Sequence, residues 1–220
     1  DCTAKLWTLD GARERTFEVD SQVRCVAALP DGVHFVVGLS AGEVRLYHVD
    51  GTLVHTFKGH TKAVYAVAVT PDGQHIISGA SDNLVKVWSV ASKSLVSTCD
   101  GHTHWVLAVA AMPDGQRILS GGARGAVRVW LLDGTLKNTF ELHPDDWVMA
   151  LVALPDNQHA LSASNDSTVK LFNVNDGAVL RTFTHHTDQV YFLALLPDGL
   201  RFVSGSYDNT ARIAYHGLAP

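Results

Sequence analysis

The sequence predicts an all-β chain of repeated four-stranded antiparallel sheets, and three observations carry that prediction. Pro-Asp-Gly, or once Pro-Asp-Asn, recurs at Pro30, Pro71, Pro113, Pro155 and Pro197, at spacings of 41, 42, 42 and 42 residues. Each repeat holds four short runs of β-branched and apolar residues, too short for helices and lacking a 3.6-residue period. The first run of each repeat, such as Val64-Tyr65-Ala66-Val67-Ala68-Val69, is apolar on both faces. Such a strand must be covered on both sides, as happens when small sheets stack around an axis. Four short strands per repeat of about 42 residues, stacked radially, describe the blades of a β-propeller.

Taken in order, the chain opens with a partial blade over 1–19, beginning in a third strand (Ala4–Leu9). Blades follow over about 20–57, 58–99, 100–140 and 141–184, and a partial blade over 185–220 supplies three strands more. In the second copy the four runs are Val64–Thr70, His75–Ser78, Val85–Val90 and Leu95–Cys99. Pro-Asp-Gly between the first two fits a tight turn, proline presetting φ and glycine accepting a positive φ. Asp50-Gly51, Asp133-Gly134 and, in a longer form, Asp176-Gly177 separate third from fourth runs, and Asp-Gly predicts a type I′ hairpin. The strands at the two ends are not complementary, so the expectation is an excerpt of a seven-bladed propeller, which leaves no open edges.

Composition narrows the function classes. The chain is 46% hydrophobic and 18% charged with a formal net charge of −5, enough apolar material for a sizeable core and no electrostatic footprint for nucleic acid. No run approaches the roughly 20 apolar residues that span a bilayer. Cys2, Cys25 and Cys99 are odd in number and widely spaced, which favours a reducing, cytoplasmic setting over a disulfide framework.

Within the repeat, Gly59-His60 is followed by Pro71, Ser78 closes a strand, Asp82 sits in a turn and Trp88 lies six residues beyond it. These residues, and the period, resemble the WD-repeat β-propeller family over essentially the whole chain. The Trp-Asp dipeptide that names the family is absent, Ser89 following Trp88. The resemblance implies a hydrogen-bonded network in each blade, from Trp to Ser to His to Asp. Each bond adds about 1 kcal/mol net, and a buried polar group left unpaired costs about 1–3 kcal/mol. Copy three keeps His102, Ser120 and Trp130 but carries Arg124 at the acid's place. Copy four has Ser162 and Asp166, with Phe172 for the tryptophan and His143 displaced by an extra residue near Pro144. Copy five has His186, Ser204 and Asp208, with Ala214 for the tryptophan. Copy one, with Val37, Ala41 and Tyr47, has none of it, and Asp1 to Trp7 matches the end of a preceding copy. Arginine has no acceptor, so in copy three the network is expected to be broken or completed by water.

Twelve histidines raise a metal site, but His60, His102 and His186 share one repeat position and His75 and His159 another, which places them on different blades. Ligands must converge, so no metal and no cofactor are expected. Most aspartates fall in the repeated turns, and no Gly-x-Ser-x-Gly, His-Glu-x-x-His or phosphate loop occurs, so catalysis is not expected. Surface display remains. The resemblance implies that residues just before the leading valine of each first strand emerge on the top face: Gln22, Ala63, Trp105, Asp146-Trp147 and Gln189. Tryptophan is enriched at interface hot spots. Asp146-Trp147-Val148-Met149 is similar to a stretch of heterotrimeric G-protein β subunits, where the matching Trp and Met face the α subunit. Tyr207, Arg124, Lys62, His104 and Arg24 join the candidate surface. The expected function is a non-enzymatic scaffold or adaptor, a subunit of a larger complex, that binds a protein or peptide. The alternatives are a substrate receptor of a ubiquitin ligase, a sensor domain of a larger protein and, least, a propeller hydrolase; the Trp-Asp-x-Arg docking element of some such receptors is absent.

Overall fold

The computed structural model describes residues 2–218; Asp1, Ala219 and Pro220, which the partial blades include, lie outside the described residues. β1 (Thr3–Trp7) and β2 (Arg13–Glu18) form a two-stranded sheet. Blade one contains β3 (Val23–Ala28), β4 (His34–Leu39), β5 (Glu43–His48) and β6 (Leu53–Lys58). Blade two contains β7 (Val64–Val69), β8 (His75–Ala80), β9 (Val85–Ser89) and β10 (Ser94–Cys99). Blade three contains β11 (Val106–Ala111), β12 (Arg117–Gly122), β13 (Ala126–Leu131) and β14 (Leu136–Glu141). Blade four contains β15 (Val148–Ala153), β16 (His159–Ser164), β17 (Val169–Asn173) and β18 (Val179–Phe183). Blade five contains β19 (Val190–Leu195), β20 (Arg201–Ser206) and β21 (Ala211–Tyr215). Every pairing is antiparallel between consecutive strands, and the described residues hold no helix.

The first strand predicted over Ala4–Leu9 stops at Trp7. Thr8 and Ala12 exchange backbone and hydroxyl hydrogen bonds across the turn, which takes Thr8 and Leu9 out of the ladder.

The Pro-Asp-Gly turns form as their chemistry requires. Gly32, Gly73, Gly115 and Gly199 have φ between 66° and 73°, and Asn157 takes the same conformation at φ 59°. The Asp-Gly hairpins differ from the type I′ expectation. Among these residues positive φ falls on Gly51, Gly134 and Gly177 but not on the aspartates before them. His48 N–H bonds to Thr52 O and Leu131 N–H to Thr135 O, closing three-residue loops with a register shift in the third strand. That is a type I turn followed by a left-handed glycine, a G1 bulge. The aspartate favours it by accepting the N–H two residues on, as Asp50 does from Thr52 and Asp133 from Thr135.

The core lies between sheets rather than inside any one of them. Blades one and two share Leu29, Val36, Leu46, Phe57, Val64, Ile76 and Trp88. Blades two and three share Ile77, Val87, Val106, Val109 and Trp130, and blades three and four share Met112, Leu119, Val148, Leu151 and Phe172. Burying each such side chain contributes about 1.5–3 kcal/mol, which accounts for first strands that are apolar on both faces. Close stacking needs Gly79. A Cβ there would lie 2.6 Å from Val106 Cγ1, the leading valine of the next blade. First strands therefore sit side by side around the axis, and the residue before each leading valine is held at one rim.

Candidate functional site

The hydrogen-bonded relay sits just beneath that rim. In blade two Trp88 Nε1–H donates to Ser78 Oγ (2.8 Å), Ser78 Oγ–H to His60 Nε2 (2.8 Å) and His60 Nδ1–H to Asp82 (3.0 Å). Asp82 also accepts from Thr61 N–H and Leu84 N–H, so one carboxylate ties the loop before β7 to the turn before β9. In blade five His186 reaches Ser204 and Asp208, each at 2.7 Å, beside Ala214. In blade four His143 reaches Ser162 at 2.8 Å and Asp166 at 2.7 Å. Its one-residue displacement is absorbed by a turn in which Asp145 is left-handed (φ 64°) and Asp146 N–H bonds to His143 O. Burial acts to raise the Asp166 carboxyl, but hydrogen bonds from His143 and Thr168 outweigh it and hold it at about 2.

Blade three departs from the others in a way the sequence does not show. His102 Nε2 and Trp130 Nε1 both lie 2.7 Å from Ser120 Oγ. On the other side of the ring, Arg128 Nη1–H donates to His102 Nδ1 at 2.8 Å. The relay is thus completed by Arg128, neither broken nor left to water. Because arginine only donates, Nδ1 is the acceptor and Nε2–H donates to Ser120, the reverse of the tautomer that Asp82 imposes on His60. Burial, with the charge of Arg128 added, pushes His102 down to about 3, so its ring is neutral. Arg124 stands in an exposed turn with φ 77°.

Above this layer lies the candidate surface. Trp105 and Trp147 remain 44% and 40% exposed although their rings touch, with centroids 6.2 Å apart. Tyr65 stacks on the far side of Trp105 at 5.9 Å, and the Arg24 guanidinium lies 5.6 Å from the Tyr65 centroid. Four side chains from blades one to four thus form a continuous cation–aromatic row. Its backbone is pinned: Ala123 N–H donates to Trp105 O and Asn165 N–H to Trp147 O, both at 3.1 Å. Gly122 permits that approach, since a Cβ there would lie 1.9 Å from Trp105 O. A groove of about 600 Å³ runs beside the pair, lined by His104, Trp105, Ala123, Arg124, Asp145 and Trp147.

The other candidates distribute around this row. Asp146 and Met149 flank Trp147 and are half-buried, and His104 bonds to Thr103 Oγ1 at the groove edge. Lys62 is exposed on blade two. Tyr207 packs on Tyr191 at 4.3 Å, and Tyr191 OH donates to Gln189, a second aromatic group on blade five that does not line the groove. Tyr65 joins the row without being a sequence candidate; its signal is the position after the leading valine, which Arg24, Leu107, Met149 and Tyr191 share. Among the described residues no three His, Cys, Asp or Glu side chains converge as a metal site would require.

The family model for the WD domain, G-beta repeat, matches residues 51–89, 93–130, 134–173 and 177–213. Each match starts with or just before the outer strand of one blade and ends in or after the third strand of the next, so the sequence unit straddles the sheets it builds. No curated protein matches the chain. Matches over more than half of its length, on a frame of stacked four-stranded sheets with a complete Trp–Ser–His–Asp relay in blade two and partial ones in blades three to five, place the chain in the WD-repeat family.

Proposed function

We propose that this chain is a non-catalytic scaffold whose aromatic face binds a protein or peptide within a larger, cytoplasmic complex. Repeats of this family generally mediate protein–protein interaction. The observation that supports this face as the site is the exposed pair Trp105 and Trp147 with the half-buried Tyr65 stacked beside it, braced by Arg24 and clamped from behind by backbone hydrogen bonds. Rigid, half-exposed aromatics lose little freedom on binding and dominate interface energetics. Cys2, Cys25 and Cys99 are free thiols, which fits a reducing compartment.

Replacing Trp105 and Trp147 together with alanine tests the reading. Cross-linking in cell extract, followed by mass spectrometry, should show the partners of the wild-type chain lost from the variant, by about 2 kcal/mol or more in affinity. The far-UV spectrum should persist, and melting should shift by only a few degrees. Retained capture, or unfolding of both single variants, would contradict it.

A further inference from the structure

In blades two, four and five a carboxylate fills the same place beside the relay histidine. In blades two and five it also accepts the backbone N–H one residue past that histidine, from Thr61 and Thr187. Blade three keeps the histidine, serine and tryptophan but has no such acid. Thr103 N–H, the counterpart of Thr61 N–H, meets no acceptor among the described residues. Arg128 is half-buried and donates to His102, a neutral group; burial lowers its guanidinium, and the charge of Glu141, beyond ion-pair distance, offsets that only in part. Neither Arg124 nor Arg128 has a carboxylate within ion-pair distance among the described residues. Both line one cleft of about 280 Å³ with His102 and Thr103, next to the groove of the tryptophan pair. Glu141 and Asp145 stand on the cleft's walls too, both water-exposed.

We propose that this cleft receives a carboxylate from the partner, an aspartate or glutamate side chain of the chain seated on the aromatic face. The inference rests on the reading of that face as a partner surface. Three other blades show that the position suits a carboxylate. Here two guanidinium forks and a free N–H offer the donors, and charge-assisted forks are the strong partners for that group. The arginine in the acid's place thus turns an internal structural contact into an intermolecular one, supplying selectivity for acidic segments.

The probe is an octapeptide alternating leucine and glutamate, compared with its leucine–glutamine counterpart and with one carrying phosphoserine for glutamate. Binding to the 220-residue chain is followed by amide and guanidinium NMR shifts. The glutamate peptide should shift the Thr103 N–H and the Arg128 Nε–H, weaken with salt, and bind at least about tenfold more tightly than the glutamine peptide, as charged hydrogen bonds do. Arg124→Asp, which restores the acid of the other blades, should reduce that affinity by about tenfold or more. Arg124→Gln should do the same while placing no new charge in the turn. Equal binding of the glutamine peptide, shifts that avoid Thr103, or binding of the phosphoserine peptide alone would overturn the proposal. Loss of cross-linked partners in the tryptophan variant alongside a silent Thr103 amide sinks the carboxylate and spares the aromatic face.

Discussion

Trp88→Ala is expected to cost about 3–5 kcal/mol of stability, as large-to-small changes of core aromatics do. Trp88 is 2% exposed and fills the layer between blades one and two, against Phe57 and within contact of Gly59. Truncation leaves a cavity and removes the indole N–H from Ser78 Oγ, while His60 and Asp82 stay paired. Trp88→Phe should cost clearly less, because blade four runs its His143–Ser162–Asp166 relay beside Phe172 with no indole donor. Urea unfolding of the three proteins checks this, with a lowered midpoint at an unchanged slope marking a native-state effect. A loss below about 1 kcal/mol for Trp88→Ala would mean that the inter-blade layer is not what holds the stack together.

The second large effect is loss of stability in mild acid. His102 is held neutral at about 3 in the fold, first by burial and then by Arg128, whereas an unfolded histidine titrates near 6.5. Between those values the unfolded chain binds the extra proton. The contribution is therefore complete above about pH 6.5 and is lost as pH falls toward 3. At about 1.4 kcal/mol per unit, it amounts to something on the order of 3 kcal/mol by pH 4. His60 moves in the same direction by burial, with Asp82 opposing it, so its share is smaller. Asp166, held at about 2, contributes fully above about pH 4 and loses its share only below that, a separate window. Unfolding free energies from pH 7 to 4 should therefore fall steeply in the wild type and less steeply in His102→Gln. Parallel curves for the two proteins would contradict the assignment.

How much of this is legible in the sequence follows from which forces are local. Strand number and order are legible because each turn is written in its own residues, such as Pro71-Asp72-Gly73, and because two-faced apolar runs with no helix-length segment between them point to stacked sheets. The type of the Asp-Gly turn is not legible from the dipeptide, since type I plus a bulge and type I′ both place glycine at positive φ. His143 escapes spacing rules because one left-handed residue, Asp145, absorbs an insertion. Arg128 is hidden for a different reason. A basic residue stands at that strand position in every blade, as Arg45, Lys86, Arg128, Lys170 and Arg212. Lys86 bonds to Thr98, Lys170 to Leu142 O, and Arg45 pairs with Asp20 and Glu43. Only where the acid is missing does the long side chain reach the histidine, a choice set by the space around it and not by its own neighbours in sequence. The tryptophan pair is visible as two residues at one repeat position, but Tyr65 and the stacking that joins the row depend on how blades two, three and four pack side by side.

The aromatic face, and not the opposite rim of Pro-Asp-Gly turns, is proposed to meet the partner. Hydroxyl-radical footprinting of the cross-linked complex tests it most directly. Trp105, Trp147 and Tyr65 should lose most of their oxidation on complex formation, while Pro71 and Pro113 on the far rim stay as reactive as in the free chain. Unchanged oxidation of the two tryptophans, with protection at the proline turns, would contradict it.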